Sequence, residues 1–316
     1  MQFALRALRE AEMSVAVYIT IYAGLLIFLV GCLLRAVEYA RTPFHLRWEL
    51  YPVAHEERRF LEHGGSYFES GAWWLSPQAV DHRSEWAAML REIVFLRGLW
   101  EYNRRLWPPS FLFHFGLYLS IASAGLAVVA ALVGAHSGWL WIGMAGGWIG
   151  AAAIVMVLTG ALWLLARRIT DPGLKNYTKA GDIFNLIFFI VAFGFLGAGF
   201  LAPGAHNASL AEIARSAFGF DRGAHISAAA GTGLILCSAL AAYIPFTHMA
   251  HFIAKYFTWH SVRWDDRRND AGSSIESKVA ASLAYRPTWA APHLGADGKK
   301  TWAEIAASNP AEEVRK

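Results

Sequence analysis

The chain has 316 residues, of which 56% are hydrophobic and 16% are charged, and its formal net charge is +4. This composition excludes an ordinary soluble domain and is typical of a polytopic membrane protein. The basic residues are spread through the loops rather than gathered in one arm, so nucleic-acid binding has no support. Cys32 and Cys237 lie singly in hydrophobic segments. That placement disfavours an iron–sulfur cluster, a zinc ribbon or a covalently attached haem built by this chain.

Stretches without Asp, Glu, Lys or Arg divide the chain into membrane-sized segments. They comprise residues 13–34, 106–166, 183–211 and 223–254. About 20 apolar residues cross a bilayer core, and the second stretch is long enough for two crossings with a break at 134–139. We therefore predict an all-α integral membrane fold with five transmembrane helices. The first four are expected at about 14–37, 110–134, 139–166 and 183–201, and the fifth lies in the last stretch.

Glycines of the third predicted helix recur at a spacing of four. Gly143 pairs with Gly147, and Gly146 pairs with Gly150. This spacing permits close approach of a neighbouring helix. Because glycine is common in membrane helices, the pattern alone does not say which neighbour packs there.

The distribution of Lys and Arg among the connections predicts the orientation. The long loop 38–109, the turn after the third helix and the exit of the fifth helix are rich in basic residues, whereas the 134–139 turn has none and the 202–224 loop has only Arg215 and Arg222. Cytoplasmic loops carry the excess of Lys and Arg. We therefore expect an inner-membrane protein with its N-terminus outside and its C-terminus in the cytoplasm.

The two long polar segments are expected to face the cytoplasm and to bind a partner. Residues 1–258 are predicted to form the membrane domain, including the loop 38–109, and residues 259–316 a partner-binding tail that orders only against another subunit. Within the loop, apolar residues recur near helical spacing over 84–104. This pattern predicts one amphipathic helix on the membrane surface or on a partner. A loop packed on itself is the alternative.

Three histidines in the hydrophobic segments are the main candidate ligands. His248 and His251 are predicted to share a helix face shortly after Pro245, where the missing N–H should bend the helix. His114 lies near the cytoplasmic start of the second helix. Imidazoles inside membrane helices are costly, and two of them at matching depth can ligate a haem iron from opposite sides. The alternative is that each histidine is bonded to a neighbouring helix, and depth does not decide between His248 and His251.

The other histidines carry weaker arguments. His136 and His225 lie in or beside the outer turns and could ligate a second, outer haem. Four histidines of the first loop lack metal-ligand spacing and are interpreted as solvated or interface side chains: His45, His55, His63 and His82.

At these residues the chain resembles the five-helix cytochromes b of the respiratory nitrate reductase gamma-subunit family. Pro245 followed by His251, together with His114, corresponds to the ligand pair of one b haem in that family. The family's second haem has its ligands at the positions of Ala124 and Gly233. Neither residue can ligate iron, so the resemblance implies one haem, with two left open through His136 and His225.

A closer resemblance covers nearly the whole chain. HLRWELYPVAHE at 45–56, GGSY at 64–67, IPFTHMAHFIAKYFTWHSVRWDD at 244–266 and GKKTWAEIA at 298–306 are similar to the cytochrome b subunit of transmembrane complexes of sulfate reducers. Those complexes are the tetrahaem-cytochrome-c-linked one and, more distantly, the sulfite-reductase-linked one. The resemblance implies haem b, menaquinone, a cytoplasmic iron–sulfur subunit similar to that of heterodisulfide reductase, and a multihaem cytochrome c outside.

The function expected from this sequence is electron transfer between quinone and the iron–sulfur subunit, through a helix bundle that holds haem. The chain would be a subunit of a respiratory oxidoreductase rather than a stand-alone enzyme. Weak candidates for the quinone site are His248, Arg35 and Tyr256. The alternatives are a haem-free membrane anchor and a proton-relay transporter, although a relay would call for buried carboxylates that the charge-free stretches lack.

Overall fold

The structure is a computed structural model that describes residues 2–43, 53–75, 80–133, 140–204 and 206–308. Over these residues the chain is mostly helical, and its described strands form one short hairpin. The helices are α1 (Gln2–Arg41), α2 (Arg58–Leu61), α3 (His82–Phe95), α4 (Arg97–Tyr102), α5 (Trp107–Val133), α6 (Leu140–Thr170), α7 (Pro172–Lys175), α8 (Ala180–Phe200), α9 (Leu210–Gly219), α10 (Ala228–Tyr243), α11 (His251–Thr258), α12 (Ser274–Leu283) and α13 (Trp302–Ala307). The hairpin pairs β1 (Ala290–Ala291) with β2 (Ala296–Asp297) in antiparallel register.

Among the described residues, five helices are long and apolar enough to cross a membrane. Their spans are Met13–Arg41, Trp107–Val133, Leu140–Thr170, Ala180–Phe200 and Ala228–Phe246. The predicted fold class, an all-α integral membrane protein with five transmembrane helices, is confirmed. The 134–139 turn lies outside the described residues.

The chain forms two compact units. The first comprises Met1–Gly31 and Met89–Met249, and the second comprises Cys32–Ala88 and Ala250–Lys316. This division differs from the expected one at residue 258, because the first loop and the tail belong to the same unit. Helices α1 and α3 each contribute residues to both units.

Helices α5 and α6 of the first unit meet backbone to backbone. A Cβ added to Gly160 would lie 2.4 Å from the backbone nitrogen of Phe113, and one added to Gly116 would lie 2.8 Å from that of Val157. Lipid tails are as apolar as side chains, so membrane helices associate through such close contacts between small residues. The glycines therefore set the spacing of these two helices.

The glycine pattern predicted in the third helix is only partly used for packing. Gly146 and Gly150 face α5, where the Ser123 hydroxyl donates a 2.7 Å hydrogen bond to the Gly146 carbonyl. A Cβ on Gly147 would meet nothing within 4 Å. Only one of the two predicted pairs thus lies against α5.

Helices α8 and α10 make a second close contact. A Cβ added to Gly199 would lie 2.5 Å from the backbone of Ala230, and one added to Gly233 would lie 2.6 Å from the nitrogen of Leu196. The buried core of the unit fills the space between α5, α6, α8 and α10. Its members include Phe113, Ile154, Val157, Ala161, Leu186, Phe189, Ala192, Phe193 and Leu240.

The amphipathic stretch predicted as one helix over 84–104 is two helices. The break falls at Leu96, which is buried and adopts the left-handed conformation with φ 51°. A leucine there is strained. The side chain of Glu92 stabilises the corner by accepting a 2.7 Å hydrogen bond from the Gly98 N–H.

Candidate functional site

The fifth hydrophobic segment breaks before its histidines. Helix α10 ends at Tyr243 and is followed by a 3-10 turn at Ile244–Phe246. A second 3-10 turn covers His248–Ala250, and α11 begins at His251. His248 therefore lies in a 3-10 turn and His251 in the α-helix that follows it, rather than in one continuous α-helix with α10.

The local sequence accounts for the break. Pro245 has no N–H to continue the helical bonding. Thr247 is extended, with φ −124° and ψ 175°, and its hydroxyl oxygen accepts a hydrogen bond from the Met249 N–H at 3.1 Å. A threonine side chain that bonds the backbone in this way offers an alternative to the helix.

His114 lies two turns into α5, next to the core of the first unit. Its Nδ1 is 2.7 Å from the carbonyl oxygen of Ser110. A carbonyl can only accept, so Nδ1 carries a proton and, in the neutral ring, the lone pair is on Nε2. The adjacent Phe113 is buried against Phe189, with ring centroids 4.8 Å apart. The imidazole is thus oriented as metal-ligating histidines usually are, with the other ring nitrogen bonded to the backbone.

His248 belongs to the first unit and faces a carboxylate. Its Nε2 lies 3.4 Å from Oδ1 of Asp182, and its side chain is 63% exposed. The other oxygen of Asp182 accepts from the Lys179 N–H at 2.9 Å at the start of α8 and lies 3.6 Å from Arg168. An imidazole nitrogen directed at a carboxylate is suited to proton donation, and iron ligation requires a lone pair at that nitrogen.

His251 belongs to the second unit. It is the first residue of α11 and is exposed. His114 lies in the first unit, so the two expected ligands belong to different units.

The positions of the family's second haem ligands, Ala124 and Gly233, carry no side chain that could ligate iron. Gly233 packs against the backbone of Leu196 at a distance that already excludes a Cβ, and Ala124 is exposed on the surface of α5. His136 lies outside the described residues. His225 lines a cavity of about 310 Å³ at the end of α8 and the start of α10, together with His206 and other residues of the connection between these helices.

The weak quinone-site candidates of the second unit have protein partners. Arg35 pairs with Glu38 at 2.7 Å, and Tyr256 stacks on His260 with ring centroids 4.2 Å apart. Neither contact by itself identifies a quinone-binding pocket.

The second unit contains buried histidine–carboxylate contacts that sequence reasoning missed. His55 is 6% exposed, and its Nε2 lies 2.7 Å from Oδ2 of Asp266. His260 Nε2 lies 2.8 Å from Oε1 of Glu85, which is also buried. His55 is therefore not a solvated side chain.

The remaining loop histidines differ from His55. His82 and His63 have side chains that are 76% and 60% exposed, in agreement with their interpretation as solvated. His45 lies outside the described residues.

Asp265 accepts two hydrogen bonds from Arg267, at 2.7 and 2.5 Å, and these bonds raise the pKa of the guanidinium.

Among the described residues, no group of three or more His, Cys, Asp or Glu side chains could hold a metal ion. A bis-imidazole haem needs only two protein ligands, so this observation does not bear on it. No family model matches the chain, and no characterised protein matches it either.

Proposed function

We propose that this protein is a membrane cytochrome b that transfers electrons between a quinone and a cytoplasmic iron–sulfur subunit. One b haem would be held by His114 and His251. The haem supplies a one-electron carrier of tunable potential, and the chain supplies axial ligands, a dry site and docking surfaces.

The geometry of His114 carries the proposal. Its Nδ1–H donates to the Ser110 carbonyl at 2.7 Å, which orients the ring and leaves the lone pair on Nε2. The residue lies in the first turns of a membrane span, where an imidazole is costly without a role. A bonded second nitrogen also raises the basicity of a ligating imidazole.

The contact of His248 with Asp182 supports His251 as the second ligand. Nε2 of His248 faces a carboxylate at 3.4 Å. His248 would instead hold or donate a proton near the membrane edge. His251 begins a helix six residues after Pro245, at the spacing that the family resemblance assigns to the ligand.

The packing of α8 and α10 supports one haem rather than two. Gly233 fits against the backbone of Leu196 with no space for a side chain, so no ligand side chain fits at that position. The α5 position that would have to carry the partner ligand, Ala124, is exposed.

The polar second unit is the proposed docking surface for the iron–sulfur subunit. It contains the described parts of the first loop and of the tail. Basic residues lie at the end of the third membrane span and in the turn after it, including Arg167, Arg168, Lys175 and Lys179. By the positive-inside rule this end lies in the cytoplasm, with the N-terminus outside.

Single alanine variants at the three histidines test the ligand assignment. We expect His114→Ala and His251→Ala to abolish the reduced b-type absorbance of purified protein, because each removes one axial bond. His248→Ala is the matched control from the same segment and should retain haem. Membrane insertion of all three should match the wild type by fractionation and size-exclusion chromatography.

The outcomes separate the alternatives. A full spectrum in His251→Ala with none in His248→Ala would move the ligand to His248. A full spectrum in both His114→Ala and His251→Ala would overturn the site. A wild-type chain that binds no haem would favour a membrane anchor.

A further inference from the structure

The corner between α3 and α4 lies against the start of α5. The indole nitrogen of Trp107 donates to the carbonyl of Phe95 at 2.7 Å, and the Tyr118 hydroxyl donates to the carbonyl of Ile93 at 2.8 Å. Trp107 begins a membrane span. Tyr118 lies about 16 Å further along α5. The end of α3 therefore runs beside the first turns of the span and reaches the level of the membrane boundary.

An open cavity of about 350 Å³ lies at this corner. It is lined by Arg91, Phe95, Arg97, Trp100 and Trp107. The lining is almost entirely apolar, with Trp100 and Trp107 in an edge contact at 5.0 Å, and the two arginines contribute mainly their aliphatic stems. Long arginine side chains can cover apolar surface with their stems while their charged heads stay in a polar environment.

The aromatic lining continues along α5. Trp107 stacks on Phe111 at 4.9 Å, and Phe111 stacks on Phe115 at 5.2 Å. These rings form a track that leads from the cavity into the membrane span. A ligand matched to both parts has an ionic head and an apolar tail.

The charge at the cavity favours an anion. Residues 91–105 contain four arginines and two glutamates. Glu92 is engaged with the Gly98 N–H, and Glu101 pairs with Arg97 at 2.6 Å. The part of the chain that the structure describes places no carboxylate in an ion pair with Arg91. Guanidinium groups match phosphate oxygens in geometry and charge.

We propose that this cavity binds an anionic phospholipid, with its phosphodiester against Arg91 and Arg97 and an acyl chain along Trp107, Phe111 and Phe115. Basic pockets at the cytoplasmic ends of membrane helices suit such headgroups. A free phosphate would satisfy the arginines but would leave the aromatic track exposed. The site is independent of any haem, because none of its residues is a proposed ligand.

Native mass spectrometry of the full chain in detergent tests the site. Dioleoylphosphatidylglycerol and dioleoylphosphatidylcholine are added at equal concentration, and we expect preferential retention of one phosphatidylglycerol. The double variant Arg91→Gln/Arg97→Gln should weaken this binding by about tenfold or more, because two charge-assisted contacts are lost. The matched control is Arg222→Gln, an exposed arginine of the outer loop, which should retain the preference.

A second variant and a competition with inorganic phosphate separate the possible explanations of this result. The single variant Arg91→Glu serves if the double variant does not fold, and it should also lose the preference. Inorganic phosphate at millimolar concentration should not displace the lipid. Equal retention of the two lipids by the wild type, an unchanged preference in the arginine variants, or full displacement by inorganic phosphate would each overturn the assignment.

Discussion

Within the first unit the closest contacts are made by glycines, whereas within the second unit the buried contacts include paired polar side chains. Gly160 and Gly233 let helix backbones approach until no Cβ fits. In the second unit His55 meets Asp266, and Glu85 meets His260, with little exposure to solvent. Lipid gives helices no hydrophobic reason to associate, so close fit and hydrogen bonds hold them. Polar groups can also be buried where each one finds a partner.

This difference predicts that the units fail in different ways. A change of shape should damage the first unit more than a change of charge, and removal of one polar partner should damage the second unit. Four substitutions, ordered by expected effect, separate these modes.

Gly160→Leu should have the largest effect. Its Cβ alone would lie 2.4 Å from a backbone nitrogen of α5, so the two helices would have to separate. Overpacking a fitted interior costs roughly 1–3 kcal/mol and more when backbone must move. We expect loss of monodisperse protein in size-exclusion chromatography. Gly147→Leu is the control, since nothing lies within 4 Å of that position, and an equal loss there would contradict the packing argument.

His55→Ala should destabilise the second unit and leave the first intact. It leaves the carboxylate of Asp266 without its imidazole in a site where Asp266 is 14% exposed. Removal of one partner from a buried pair costs roughly 3 kcal/mol. Hydrogen exchange should rise in α11 and the segment after it, with α5 and α6 unchanged. His63→Ala, at a side chain that is 60% exposed, is the control, and matching exchange in both variants would argue against the pair.

Asn207→Ala should have an intermediate effect, where α8 ends and α10 begins in the first unit. Its amide donates to the Gly199 carbonyl at 2.6 Å and accepts from the Ser227 N–H at 2.7 Å, which joins α8 to the start of α10. Two lost hydrogen bonds correspond to roughly 2 kcal/mol. Thermal unfolding in detergent should show the drop. His206→Ala, which changes an exposed neighbour in the same loop, should leave the unfolding temperature unchanged. A similar drop in both variants would show that the two Asn207 hydrogen bonds do not stabilise this unit.

Asp81→Asn should have the smallest effect, and that effect depends on pH. Hydrogen bonds from Ser84, and from the Arg83 N–H, lower the pKa of the Asp81 carboxyl in the folded protein. The stabilisation is therefore complete above the ordinary carboxyl pKa and is lost as pH falls through the lowered folded value. We expect the variant to lose slightly less stability than the wild type between pH 7 and pH 3. A larger loss of stability at low pH in the variant than in the wild type would contradict this prediction.

Sequence reasoning predicted the features that depend on composition and spacing. Charge-free length predicts the five spans, and Pro245 predicts an interruption of the last one. It did not predict that the helix stops there, because that depends on Thr247 bonding the backbone of Met249. It also did not identify Gly116 as a packing position. A single glycine forms no repeating pattern in the sequence, and its role is visible only from its contact with Val157 on the neighbouring helix.

The buried polar contacts were the least predictable. His55 and Asp266 are 211 residues apart in sequence, so no local pattern links them. The break at Leu96 was missed for a similar reason, because leucine favours a helix and adopts a positive φ only where burial and a cap enforce it. The candidate ligand His114, by contrast, could be found from its position at the start of a charge-free stretch.

The pyridine haemochrome spectrum of the purified full chain, quantified against protein, tests the central claim most directly. We predict about one b haem per chain, since the proposed ligand pair His114 and His251 holds one macrocycle and the positions of the family's second pair, Ala124 and Gly233, carry no ligand side chain. Two haems per chain would contradict this prediction and require a second ligand pair, with His136 and His225 tested first. No haem would contradict the proposed function itself.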